Sequence, residues 1–156
     1  MVKPRSDFQN GQLHYAISYN RLHSADPDKK EFEKYAKSGL KETDAEQLHK
    51  RLKEYMQLEK PYLDSQLSLS KLGESFGVHS NYLSQVINER ESKNFYDYVN
   101  GYRIDEFKRM ASDPKKKNIT LLALAFDCGF NSKSVFNNSF KKLTNQTPSE
   151  FLKLIK

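Results

Sequence analysis

From Leu48 onward the apolar residues fall at helical intervals. Leu48, Leu52, Tyr55 and Met56 recur with Lys and Glu between them, the pattern of an amphipathic helix packed on a core. Thr43 followed by Glu46 has the spacing of a capping box, in which each side chain satisfies the other's free backbone N–H, so the helix is expected to start there. Pro61 ends or kinks it. Upstream, residues 1–30 are polar and hold no lasting period. Leu13, Tyr15, Ile17 and Tyr19 alternate like a strand, but no nearby segment offers a pairing partner. A short helix is expected from Glu31 to Lys37, before Gly39 breaks the pattern. Residues 1–42 are therefore read as a polar tail or the remnant of a larger protein, ahead of a folded domain over 43–156.

The domain contains an approximate internal repeat. Leu69, Leu72, Gly77 and Val78 recur with identical spacing as Leu121, Leu124, Gly129 and Phe130. Further on, Leu83 and Ile87 are matched by Phe136 and Phe140, after one extra residue in the second copy. Each copy reads as a short helix, a turn at glycine and a second helix. The first helix buries Leu at i and i+3. The glycine past its end takes the left-handed conformation that stops a helix without steric cost. An apolar residue plugs the turn, and the second helix buries its own i, i+4 pair. This is the helix-turn-helix pattern, whose second helix is built to lie in a DNA major groove. A single copy would be weak, since helical hairpins are common; two in register are much stronger. The units are expected over about 66–92 and about 119–144.

Between the copies, Asn94 to Ser112 predicts a connecting helix of roughly 28 Å at the α-helical rise. Phe95, Tyr98, Val99 and Tyr102 share one face; Ile104, Phe107 and Ala111 share another, rotated round the axis. Such a helix packs first on one unit and then on the other. Its length approaches one turn of B-DNA, about 34 Å, so two reading helices could enter successive major grooves on one side of a duplex. Asp113, Pro114 and the lysines after it end the connector, and Thr120 or Asn118 can cap the next helix. The expected fold is all-α: two helix-turn-helix, homeodomain-like subdomains joined by a central linker helix.

Composition agrees with this pattern. Only 6 Gly and 5 Pro occur in 156 residues, too few for many tight β turns. The net charge of +6 would be a weak pointer to nucleic acid on its own. Its distribution says more: residues 113–156 hold eight Lys against three acidic residues, so five of the six net charges lie there. Cys128 is the lone cysteine, so no intrachain disulfide can form, which suits a reducing cytosol. There is no 18-residue apolar run and no signal-peptide pattern at the start.

Catalysis finds little support. Cys128 falls on the expected buried side of a helix, where a small apolar residue is wanted. His14, His23, His49 and His79 show neither ligand nor dyad spacing, so no enzyme, metal or cofactor is expected. A helical protein–protein interaction module of a signalling receptor is the alternative. It would need an exposed apolar patch, whereas the faces expected to point outward are Ser, Asn, Gln and Lys.

Leu69-Ser-Lys-Leu72, Asn81-Tyr-Leu-Ser84, Phe95-Tyr-Asp-Tyr98, Tyr102-Arg-Ile104, Gly129-Phe-Asn-Ser-Lys-Ser134, Phe140-Lys-Lys142 and Thr147-Pro-Ser-Glu-Phe151 together resemble the DNA-binding module of AraC/XylS regulators. The resemblance covers roughly residues 45–156, most specifically Gly129 to Phe151. It implies a bacterial transcription regulator, usually an activator that helps recruit RNA polymerase. Carried over by position, the first recognition helix would run from about Ser80 to Asn88, with Asn81, Ser84 and Gln85 facing bases and Asn88 near the backbone. The second would run from about Ser132 to Lys142, with Lys133, Ser134, Asn137 and Asn138 facing DNA and Lys141 and Lys142 neutralising phosphates. The chemistry is compatible, since Asn and Gln bond bidentately to adenine and Lys reaches guanine or phosphate. Two departures stand out. Gly73 occupies a position where the family usually has alanine, a helix cost of about 1 kcal/mol expected to loosen the first unit. The first recognition helix also lacks Arg and Lys at its base-facing positions, so the second unit is expected to grip more tightly. The family usually senses a small-molecule effector, and can dimerise, through a domain that residues 1–45 are too short and polar to form. The chain is thus expected to be cytoplasmic, or the cytoplasmic part of a membrane-anchored regulator.

Overall fold

The computed structural model describes residues 40–155, and every regular element among them is helical. The strand-like run at Leu13–Tyr19 and the helix expected over Glu31–Lys37 lie outside the described residues. Seven α-helices follow in order: α1 (Glu42–Leu58), α2 (Leu69–Phe76), α3 (Ser80–Glu91), α4 (Phe95–Ala111), α5 (Leu121–Asp127), α6 (Lys133–Thr144) and α7 (Pro148–Ile155). Single 3-10 turns at Pro61–Leu63 and Pro114–Lys116 precede α2 and α5.

Helix α1 buries Leu48, Leu52, Tyr55 and Met56, the stripe its sequence spacing foretold, and Ala45 as well. Its start differs from the expectation. The capping box at Thr43 does not form, because the helix begins two residues earlier than that box implies, with Lys41 at the cap and no side chain bonded there. The Lys41 carbonyl instead accepts the amides of Asp44 and Ala45. Glu42 and Asp44 stabilise this end by placing carboxylates at the positive pole of the helix. Lys60, left-handed at φ 49°, then turns the chain so that Pro61 starts the 3-10 turn and Tyr62 is driven into the core.

The repeat seen in the sequence is a repeat in space. Gly77 (φ 65°) and Gly129 (φ 93°) both stop a helix in the left-handed conformation. The residue after each closes the same pair of bonds: Val78 N–H to Gly73 O and Phe130 N–H to Ala125 O across five residues, with Gly77 and Gly129 donating across three. That is the Schellman arrangement, which satisfies carbonyls the helix end leaves free. Helices α3 and α6 each have 12 residues, and each ends on a left-handed residue, Ser92 or Asn145. The extra residue of the second copy, Asn131, lies in the turn before α6.

Gly73 has a reason that helix propensity alone does not supply. A Cβ built there would lie 2.8 Å from the Val78 carbonyl oxygen and 3.3 Å from the Ser80 nitrogen. The glycine lets the start of α3 close down on α2, so its propensity cost is set against a steric one.

Two apolar cores result. The first gathers α1, α2, α3 and the N-terminal half of α4, with Leu52, Met56, Leu72, Leu83, Val86 and Ile87 fully enclosed. The second gathers the C-terminal half of α4 with α5 and α6 around Phe107, Phe136 and Phe140, whose rings meet at 4.9–5.8 Å. Helix α4 passes from one core to the other between Tyr102 and Ile104, as its two apolar faces require. It spans 17 residues, with Asn94 capping it through the Asp97 amide. Met110 joins the second core alongside the expected Ile104 and Phe107. Thr120, rather than Asn118, caps α5 through the Ala123 amide. Helix α7 opens on a capping box of its own, with Thr147 and Glu150 bonded reciprocally and Pro148 at the first helical position. Phe151 then packs 5.7 Å from Phe140.

Candidate nucleic-acid interface

Helices α3 and α6 each present a polar face away from the core that anchors them. On α3, Leu83, Val86 and Ile87 are buried, which leaves Asn81 and Asn88 exposed and Ser84 and Gln85 half-exposed on the opposite side. On α6, Phe136 and Phe140 are buried, which leaves Lys133, Ser134, Asn137, Asn138, Lys141 and Lys142 exposed. The ten site residues expected from sequence are thus all in solvent contact. The repeat pairs them across the two units: Asn81 with Ser134, Ser84 with Asn137, Gln85 with Asn138 and Asn88 with Lys141.

Both helices are positioned at their N-termini by local caps. His79 Nδ1 accepts the Asn81 amide at 3.2 Å, and Ser132 Oγ accepts the Val135 amide at 3.4 Å. Each cap holds the first turn, where the leading polar side chains sit.

The two polar faces differ in charge. The α6 face carries Lys133, Lys141 and Lys142. The α3 face carries no cation among its four site residues and adds Glu89, whose Oε1 accepts from Gln85 Nε2 at 3.0 Å. Asn88 Nδ2 lies 3.5 Å from Ser84 Oγ, so the α3 side chains are largely occupied with one another. Lys142 is occupied differently. Its Nζ donates to Asp97 Oδ2 at 2.7 Å, tying α6 to the first turn of α4.

Three residues on these faces escaped the sequence analysis. Val135 is 43% exposed on α6, an apolar side chain among polar ones, and its counterpart on α3 is Tyr82. The Tyr82 hydroxyl oxygen is buried without a hydrogen-bond partner, and this desolvation raises its pKa. Glu89 is the third, at the position equivalent to Lys142. Aligning the copies by their buried pairs, Leu83–Ile87 on Phe136–Phe140, would have shown all three.

Elsewhere the chemistry is structural. Cys128 is fully buried with its Sγ 3.5 Å from Met110 Sδ, and burial pushes its thiol up to about 12, far from a nucleophile's range. His49 Nε2 lies 2.6 Å from Glu91 Oε1, joining α1 to the end of α3 across 42 positions of sequence. Among the described residues, no group of three or more His, Cys, Asp or Glu could hold a metal ion. No helix among them is long and apolar enough to cross a membrane.

The family pattern described as a helix-turn-helix domain matches residues 72–154, more than half of the chain. This chain belongs to the AraC-type helix-turn-helix family. An uncharacterized HTH-type transcriptional regulator of Staphylococcus aureus is 33% identical over 85 residues, which cover 54% of this chain and 11% of that protein. The uncharacterized HTH-type transcriptional regulator YijO of Escherichia coli is 28% identical over 87 residues, 56% of this chain and 30% of its own length. The chain therefore spans well under half the length of these curated relatives.

Solved structures agree on the AraC-type fold. A Listeria innocua protein of unknown function superposes with a TM-score of 0.58 at 27% identity, covering 67% of this chain and 94% of that one. The C-terminal domain of the two-component response regulator yesN from Fusobacterium nucleatum gives 0.54 at 27% identity, covering 69% and 97%. An AraC-type chain of this kind is classed with DNA-binding transcription regulators.

Proposed function

We propose that this chain binds double-stranded DNA at a bipartite site, with α3 and α6 as recognition helices in successive major grooves, and regulates transcription as an activator that contacts RNA polymerase. The observation that supports this reading is the repetition itself: two units with the same Schellman turn and the same 12-residue second helix, joined by one continuous 17-residue helix. A 17-residue helix is about 26 Å long at 1.5 Å per residue. That length is of the order of the 34 Å pitch of B-DNA, which suits two reading helices joined without a flexible linker.

In this reading Asn81, Ser84 and Gln85 approach bases from α3 with Asn88 beside the backbone. Lys133, Ser134, Asn137 and Asn138 approach from α6, while Lys141 and Lys142 face phosphates. Asn and Gln suit adenine, and Lys suits guanine or a phosphate. Regulators matched by this chain are much longer, which suits an effector-sensing and dimerising domain outside these residues, and a cytoplasmic site of action. A protein-interaction role is less well supported, because the exposed faces of α3 and α6 are dominated by amides, hydroxyls and ammonium groups.

The deciding experiment selects binding sites from a random duplex library at physiological salt. Two short boxes about one helical turn apart support bipartite reading. A single box restricts sequence reading to one unit. No enrichment, or binding indifferent to salt, overturns the reading, since phosphate contacts must weaken as salt rises.

A further inference from the structure

The guanidinium of Arg103 reaches elements of both units. Arg103 lies in α4 where the helix passes from the first core to the second, between Tyr102 and Ile104. Its Nε donates to the Tyr62 carbonyl at 2.7 Å and its Nη2 to the Asp64 carbonyl at 3.0 Å, both in the segment leading into the first unit. Its Nη1 donates to Asn100 Oδ1 at 3.2 Å, and Asn100 Nδ2 donates to Ser139 Oγ, on α6, at 3.1 Å. The guanidinium also lies 5.7 Å from the centre of the Phe130 ring, the plug of the second unit's turn.

The fit around it is close. A Cβ on Gly129 would stand 2.2 Å from the Tyr62 carbonyl oxygen and 2.9 Å from Arg103 Nε. The turn of the second unit thus rests directly on the carbonyl that Arg103 holds. Asn100 is buried, so one end of its amide would lose its partner if either neighbour moved. A planar fork with several donors in fixed directions suits this junction, whereas the ammonium of a lysine donates from a single nitrogen and lacks the span of that fork.

We propose that Arg103, through Asn100, is the positioning residue that fixes the two helix-turn-helix units relative to each other, and so sets the separation of DNA boxes the chain accepts. The second half rests on the bipartite reading given above; the first half does not. Without this junction, the two units would be held only by the shared α4 helix, the Lys142–Asp97 pair and the packing of the Gly129 turn on Tyr62, and so more loosely. Their individual grip on DNA would survive, but the gain from engaging both boxes at once depends on their geometry.

The test measures the junction first without DNA. Cysteines introduced by Glu74→Cys on α2 and Ser149→Cys on α7 carry spin labels, both positions being exposed while Cys128 is buried. The parent protein should give one narrow label-to-label distance. Arg103→Ala should at least double the width of that distribution, by a rough estimate for a junction losing its multidentate donor, with far-UV helicity unchanged. An unchanged narrow distance overturns the proposal. Should Arg103→Ala lose its helicity, Arg103→Lys decides in its place: broadening supports the junction and an unchanged distance overturns it.

The second measurement uses unlabelled full chain and the duplex selected by the wild type, with and without two base pairs inserted between the boxes. Wild-type affinity should fall about tenfold on insertion, and that of Arg103→Ala less than about twofold, because a loosened pair tolerates mismatch of geometry. Equal spacing penalties in both proteins overturn the spacing role. Failure of the wild type to select any duplex overturns the bipartite reading and leaves the distance measurement standing.

Discussion

Lys142 Nζ lies 2.7 Å from Asp97 Oδ2, so a lysine expected to neutralise phosphate is already paired with an acid of the linker helix. Lys141, one residue earlier, makes no salt bridge among the described residues and is exposed. The two should therefore differ in DNA binding. Lys141→Ala should lower affinity similarly for all duplexes and reduce the slope of log K against log salt by about 1. Lys142→Ala should change the slope less, and Asp97→Asn should raise affinity by releasing Lys142. Fluorescence anisotropy titrations at several salt concentrations measure all three.

Glu89 places a carboxylate on the α3 face and holds the Gln85 amide at 3.0 Å. Glu89→Gln should strengthen duplex binding at low salt, as a like charge beside the phosphates is removed. Gln85→Ala should instead relax base preference at one position of one box, at a cost of about 1–3 kcal/mol. A Glu89→Gln protein that binds more weakly would mean that α3 does not lie against DNA.

Val135 is 43% exposed among the polar side chains of α6. An apolar group there suits the methyl of thymine. Replacing thymine by uracil at the matching position of the selected duplex should weaken the wild type by about 1 kcal/mol, the order of a small apolar contact, and should not weaken Val135→Ala. A uracil effect of equal size in both proteins would assign the methyl to another side chain.

At Gly73, propensity and packing oppose each other. Alanine is worth about 1 kcal/mol over glycine in an open helix, but here its Cβ would stand 2.8 Å from the Val78 carbonyl. The contact is with backbone, which cannot rotate aside, so Gly73→Ala should destabilise by about 1–3 kcal/mol. Thermal unfolding decides the sign, and a higher Tm would show that the turn shifts freely.

Glu106 is buried and accepts from Arg109 Nε at 3.0 Å and Nη2 at 2.6 Å, with Lys60 Nζ at 3.4 Å. The Arg109 hydrogen bonds hold its carboxyl below the ordinary value of 4.5, against the opposing effect of burial. A carboxyl depressed by folding adds stability above its unfolded pKa and loses it as pH falls through the folded value. Glu106→Gln should therefore destabilise at neutral pH and flatten the loss of stability below about pH 4.5. Urea unfolding at pH 7 and at pH 3.5 measures the difference, and parallel pH profiles would remove Glu106 from the acid limb.

Most of the fold was legible because it rests on local rules. Leucines at i and i+3, a glycine past the helix end and an i, i+4 buried pair are each short-range signals, and their repetition 52 or 53 residues later made them specific. The two faces of α4 were legible for the same reason: a helix that serves two cores must carry two stripes. The Thr147–Glu150 capping box also stood in the sequence, whereas the same spacing at Thr43 misled, because the helix starts at Glu42 and takes Thr43 inside its first turn. A capping motif states what is satisfiable, and the surrounding chain selects among the ways of satisfying it.

The pattern of residues alone specified the two helix-turn-helix units, the connector between them, their order and the ten polar residues of α3 and α6 that face outward, though not Tyr82, Glu89 and Val135 beside them or the closing helix α7. The specified features follow from periodicity and from backbone conformations available to glycine and few others. Tertiary structure alone decided what joins the parts: Arg103 on Tyr62 and Asp64, Asn100 on Ser139, Lys142 on Asp97, His49 on Glu91. These pairs lie 39 to 45 residues apart, and no local pattern marks them. Their polar groups find one another only after burial of Leu, Phe and Tyr has set the helices side by side, since hydrophobic burial supplies the drive to pack but carries no direction, and the directional bonds then fix how the packed units face each other.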